Sequence, residues 1–160
     1  MAATPIAASS RFVPQGVTHY NWLPACANIA SPTRTEINNG TDLTPELAEA
    51  GDWAINSEAI DTPDYAANFT PQIPGNVTVD GSTLNLYADV ASADVRTLLP
   101  RGQAGFILKL PGGDVAGRKG DVFPVKVGSQ GKPNAIGTPS TINVIFYVTK
   151  APAENITVPA

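Results

Sequence analysis

The chain has 160 residues and a formal charge of −4, enough for one domain with a real core but short for two. The acidic balance leaves no general basic surface for holding nucleic acid by counterion release, and the single cysteine, Cys26, excludes an internal disulfide and a cysteine-based zinc cluster. With 15 prolines and 14 glycines spread along the whole length, short strands joined by many turns are expected, so the first reading is all-β.

Residues 1–16 are small, polar or proline, with scattered Ile6, Phe12 and Val13, and read as an extended N-terminal arm. They lack the basic region followed by an apolar run that marks a secretion signal. A short strand is predicted over Val17–Leu23. Thr33 with Glu36 forms a capping-box pattern and Gly40 suits a helix end, which predicts one short helix over 33–39. Between Thr41 and Asp61 the pattern favours strands around a turn at Gly51. From 62 to 81, Pro63, Pro71 and Pro74 remove three ladder donors, predicting a long loop that carries Tyr65, Phe69 and Ile73. Large apolar side chains on such a loop favour docking on something.

Leu84 and Leu86 alternate with Thr83, Asn85 and Tyr87 in a half-buried strand. Ser92 is placed to cap a two-turn helix with Val95, Leu98 and Leu99 on one face, stopped by Pro100. Two more strands are predicted over Gly105–Leu110 and Asp121–Val127, the second with Pro124 expected at an edge or a bulge. The segment Thr141–Thr149, TINVIFYVT, is the strongest strand, with Ile142, Val144, Phe146 and Val148 on one face. Ile145 and Tyr147 leave its other face partly apolar, so cover by a second copy of the chain is expected there. The tail 151–160 resembles the first arm and carries Ile156 and Val158.

No arrangement of catalytic or cofactor-binding residues emerges. GGDVAGRKG at 112–120 approaches a phosphate-binding loop, but Arg118 stands where lysine is needed and Lys119 where a hydroxyl is needed. The segment after it, Asp121–Val127, is strand-like rather than helical. The glycines therefore make a turn whose Asp114, Arg118 and Lys119 face solvent or a neighbouring subunit. His19 is the sole histidine, so a histidine metal site is unsupported. Asp61 and Asp64 around Pro63 read as turn chemistry. The chain is not expected to be an enzyme, nor to need a metal or cofactor.

The runs PTRTEINNGTDLTPELAEAGDW, IDTPDYAANFTPQIPG and ADVRTLLPRGQAGFILKLPGGDVAGRKGDVFPVKVGSQGK, with the ending ITVPA, resemble the tail tube proteins (major tail proteins) of long-tailed phages infecting actinobacteria. The likeness covers nearly the whole chain in the same order. It implies an antiparallel β-sandwich or barrel-like tail tube fold, with one or two short helices and extended terminal arms. It also implies hexameric rings stacked into a hollow tube through which phage DNA passes without specific binding. The implied partners are further copies, the tape measure and the tail terminator proteins; the implied location is the virion tail, assembled in the bacterial cytoplasm, with no membrane. The candidate assembly residues are Ile6, Phe12, Val13, Tyr65, Phe69, Ile73, Arg118, Ile156 and Val158. Both arms and the 62–81 loop are expected to order on assembly. A polar and acidic bore is expected, with Arg118, Lys119 and Lys126 mainly outside it or in ion pairs.

The competing reading is a secreted or surface β-sandwich that binds glycan or protein. It rests on four Asn-x-Thr triplets at Asn39, Asn68, Asn76 and Asn155, and on exposed aromatics such as Tyr65 and Phe69.

Overall fold

The computed structural model describes residues 3–160. Among them are ten strands and two short helices, and every strand pairing is antiparallel. The mainly β expectation holds. The larger sheet runs β2 (Thr41–Asp42), β1 (His19–Leu23), β7 (Ala104–Leu110), β8 (Lys119–Gly131), β9 (Thr141–Val148), β6 (Thr83–Tyr87) and β3 (Leu47–Ala50). A further strand, β10 (Ala153–Thr157), also pairs with β8. A separate two-stranded ribbon is made by β4 (Ala54–Asp61) and β5 (Gln72–Asp80).

Alternation along the strands sorts apolar side chains onto two faces. Trp22, Ile107, Phe123, Val125, Val127, Val144, Phe146, Leu84 and Leu86 are buried in one principal cluster. It joins Tyr20 and Leu43, from the β1–β2 end of the strand order, to Leu84 and Leu86 near the other end. The sheet therefore folds over on itself as a sandwich. Trp53 closes the cluster, its ring 5.0 Å from Phe123 and 5.7 Å from Phe146.

The opposite face of β1, β7 and β8 carries Leu23, Leu108, Leu110 and Val122. A second cluster covers it with Ile37 of α1 (Arg34–Asn38), Ile156 and Val158. The capping box that starts α1 is present: the Thr33 hydroxyl accepts from the Glu36 N–H at 3.2 Å, and the Glu36 carboxylate accepts from the Thr33 N–H at 2.7 Å. That carboxylate also accepts from the Ala27 N–H at 2.6 Å. These backbone donors, Ala27 first, hold Glu36 below the usual carboxylate range.

Four expectations are corrected. The tail is no free arm: Ala153–Thr157 is a strand on β8, and Ile156 and Val158 are core residues, because strand alternation turns both into the second cluster. The 62–81 loop shrinks to 62–71, because 72–80 pairs with β4 despite Pro74, with a register shift between Ser57 and Ala59 absorbing the irregularity. The second helix, α2 (Val95–Leu98), is a single turn capped by Asp94 rather than by Ser92. Asp94 is fixed by Arg96, whose side-chain hydrogen bonds push its carboxyl far below the usual range.

Pro124 is the fourth. It is buried at neither an edge nor a bulge, with β7 running along one side of it. Its carbonyl accepts from the Thr149 N–H at 2.9 Å. In an antiparallel strand the nitrogen of a residue points to the same side as its carbonyl. The missing donor thus falls where β9 ends and β10 has yet to begin, between Val125↔Val148 and Val122↔Ala153.

Candidate assembly interface

The ribbon β4–β5 leaves the body as an almost wholly exposed element. Its root is fixed tightly. A Cβ on Gly51 would collide with the Gly81 carbonyl oxygen, so only glycine permits that approach. Trp53, at φ 51°, then drops into the principal core, and Ile55 and Val79 pack beside it as a cross-strand pair. Beyond this anchor the contacts with the body thin out. Ile60 and Ile73 face each other across the strands, each half exposed, and the tip carries exposed Tyr65 and Phe69. The tip itself is organised: the Asp64 carboxylate accepts from the Ala66 N–H at 2.7 Å, and Asp61 accepts from the Gln72 side-chain amide at 2.7 Å. Asp61 and Asp64 are thus turn-builders.

At the ribbon's foot a cleft of about 510 Å³ opens between Val77, Val79 and the end of β9, with Tyr147, Val148 and Lys150 on its far wall. Residues 3–13 form no regular structure and are exposed, with Ile6, Phe12 and Val13 uncovered. The chain joins the body at a turn where the Thr18 N–H donates to the Pro14 carbonyl at 2.8 Å. The arm expected at 1–16 is therefore extended from residue 3 to that turn; Met1 and Ala2 lie outside the described residues.

The sequence-selected residues thus fall into three groups. Ile6, Phe12, Val13, Tyr65, Phe69 and Ile73 are exposed on the two projecting elements. Ile156 and Val158 are inside. Arg118 is exposed but occupied, its guanidinium donating to the Gly112 carbonyl of the same turn. Asp114 is held by Arg34 at 2.8 Å, and the same guanidinium donates to the Pro159 carbonyl, so the 112–118 turn clamps the tail. The Ile156 and Val158 assignment could have been found from their period-two spacing, which marks one face of a strand.

The outward face of β9, expected from Ile145 and Tyr147, is continuous with that of β6 and β3, an extension that sequence reasoning missed. Thr83, Asn85 and Tyr87 alternate with buried Leu84 and Leu86, and Asn143, Ile145 and Tyr147 alternate with buried Ile142, Val144 and Phe146. Ile145, the two tyrosine rings and two charged side chains interrupt an otherwise neutral and polar face: exposed Glu49 is the cross-strand partner of Asn85, and exposed Lys126 of the adjoining β8 is that of Tyr147. Ile145 and Tyr147 stay exposed on it, the Tyr147 ring lying over Gly128 in the space that a Cβ there would need. His19, next to Asp42 with 3.3 Å between Nδ1 and Oδ2, stands on β1 away from this face. Among the described residues no helix is long and apolar enough to cross a membrane.

A family model described as Phage tail tube protein matches residues 6–160. No curated protein matches the chain.

Proposed function

The chain belongs to the phage tail tube protein family, whose members are structural components of the virion tail rather than enzymes, and on that premise we propose that its copies close into rings. Six copies per ring, stacked axially, make the hollow tube through which phage DNA passes. Assembly takes place in the host cytoplasm, with the tape measure protein inside the growing tube and the tail terminator at its end.

What carries this reading is the β4–β5 ribbon. A two-stranded ribbon is marginal in water on its own, yet this one extends nine residues, about 30 Å, and shows apolar side chains to solvent. Ile60, Tyr65, Phe69 and Ile73 gain cover when the ribbon lies against a neighbouring ring. The N-terminal arm supplies a second axial contact through Ile6, Phe12 and Val13.

A bore needs a wall. The C-terminal half of β8 with β9, β6 and β3 makes a four-stranded antiparallel panel with one face on the core and one polar face. Because four is even, rotated copies continue the antiparallel alternation, and barrels of about 16 strands are already open. Asn85, Asn143, Thr83 and Glu49 then face the bore, and neutral or acidic side chains do not hold phosphates by counterion release; Lys126, expected mainly outside the bore, stands on the same face beside Tyr147.

Electron microscopy of the purified protein tests the reading. Tubes or stacked rings are expected, and a variant with residues 56–78 replaced by a short turn should give at most single rings. A protein that stays monomeric at high concentration and binds a glycan or peptide would favour the surface-module reading instead.

A further inference from the structure

We propose that neighbouring subunits are oriented by opposite charge on the two free edges of the β8–β9–β6–β3 panel, an inference that rests on the ring reading above. Gly131, Asn143, Asn85 and Glu49 are successive cross-strand partners, so one row crosses all four strands and ends at both edges. Neither end is paired further. Among the described residues β3 pairs with β6 alone, and backbone bonding on the β7 side of β8 ends at Val127, which bonds Gly102 and Gln103, leaving Gly128–Gly131 without a strand there. The two free edges therefore lie at the same height on opposite sides of the panel. Exposed backbone edges of this kind are templates for pairing with another chain.

The edges differ in sign. Glu49 is exposed on β3 and Glu46 just before it, whereas Lys126 and Lys132 are exposed just before and just past the free segment Gly128–Gly131 of β8. Among the described residues none of the four takes part in an ion pair. Residues 35–95 contain neither lysine nor arginine, and the bases that reach this side are engaged elsewhere: Arg96 is bound to Asp94, and Lys109 Nζ donates to the Asp52 carbonyl at 3.3 Å.

These charges select among the ways two copies can meet. A two-fold pairing of β3 with β3 sets Glu46 and Glu49 against their own kind, and pairing β8 with β8 does the same for Lys126 and Lys132. Both are disfavoured by like-charge repulsion. Pairing β3 of one copy with β8 of the next is attractive and, because the panel has an even number of strands, antiparallel. It is also head-to-tail, the arrangement that closes into rings rather than stopping at a dimer. Glu46, Glu49, Lys126 and Lys132 are thus specificity-determining residues of the subunit contact.

The test is charge reversal read by sedimentation and negative-stain microscopy at low and high salt. E46K/E49K and K126E/K132E, each alone, are expected to raise the concentration needed for assembly about 10-fold or more at low salt, with an unchanged thermal melt. Mixed in equal amounts, the two variants are expected to assemble, because acidic-edged and basic-edged copies alternate in a ring of even number. The chain carrying all four reversals is expected to return to the parental concentration. Reversals that assemble like the parent overturn the edge assignment while leaving the ring reading intact. Failure of both the mixture and the fourfold variant does the same. A parent that forms no ring or tube overturns both.

Discussion

Replacing Ile156 with alanine and Phe69 with alanine should damage the protein in opposite ways. Ile156 is 4 % exposed, seated among Leu23, Ile37, Leu108, Leu110, Val122 and Val158. The walls of that site are a helix and three strands, so it cannot collapse freely, and truncation should cost about 2–5 kcal/mol. At roughly 2–4 °C per kcal/mol for a chain of this size, a loss near 3 kcal/mol lowers the melting temperature by about 6–12 °C. Phe69 is 75 % exposed at the ribbon tip, so its loss should change monomer stability by no more than about 0.5 kcal/mol. In a tube the same ring, if covered, contributes about 1.5–3 kcal/mol per contact, roughly a 10- to 150-fold change in the contact equilibrium. Thermal melts followed by circular dichroism read the first quantity, and the concentration at which tubes begin to pellet reads the second. An Ile156→Ala variant that melts like the parent but forms no tubes would return the tail to the surface and refute its placement. So would a Phe69→Ala variant whose melting temperature falls by several degrees.

Gly51→Ala should loosen the ribbon root, because the new methyl meets the Gly81 carbonyl oxygen head-on. Faster proteolysis between residues 54 and 80, with the body still protected, is the expected reading. Asp94→Asn should lower the melting temperature at neutral pH by removing the charge-assisted bonds to Arg96 that start α2. The folded-state pKa of Asp94 is depressed, so its contribution is fully present above the unfolded value near 3.9 and fades as pH falls through the folded value. A parent-minus-variant difference in melting temperature that is flat above about pH 5 and shrinks below about pH 4 is expected. A difference that grew on acidification would contradict the assignment.

Strands with one buried face were legible because their patterns are local. In β9, Ile142, Val144 and Phe146 alternate with Asn143, Ile145 and Tyr147, and burial follows that alternation. The α1 cap was legible for the same reason, Thr33 and Glu36 being three residues apart and sufficient for each other. What escaped was set by partners distant in sequence. Pro124 reads as an edge residue until β9 and β10 are seen to divide one side of β8 between them. The second core was hidden because Leu23, Leu108, Val122 and Ile156 come from four separate strands. On the assembly surfaces, exposed Tyr65 and Phe69 were evident from their proline-rich surroundings. The free edges of β3 and β8 were not, because an edge is defined by the strand that is missing beside it.

The ribbon also carries a problem that its sequence answers. Two free strand edges and several exposed apolar side chains make a template for indiscriminate sheet growth. Pro74 removes a ladder donor from β5, and Gly75 sits where a Cβ would press on the Glu58 carbonyl oxygen at 2.7 Å, so the ribbon is irregular midway along. Glu58, Asp61, Asp64 and Asp80 add charge of one sign, with no lysine or arginine on the ribbon to attract a second one. Two ribbons therefore repel each other, whereas a ribbon and a lysine or arginine elsewhere on a neighbouring copy do not. Self-assembly through dissimilar surfaces requires this asymmetry: the projecting element must fit its receptor and reject its own copy. A basic residue placed at the ribbon tip, as in Asp64→Lys, should then let ribbon pair with ribbon, and amorphous precipitate in place of ordered tubes is the outcome expected under the microscope.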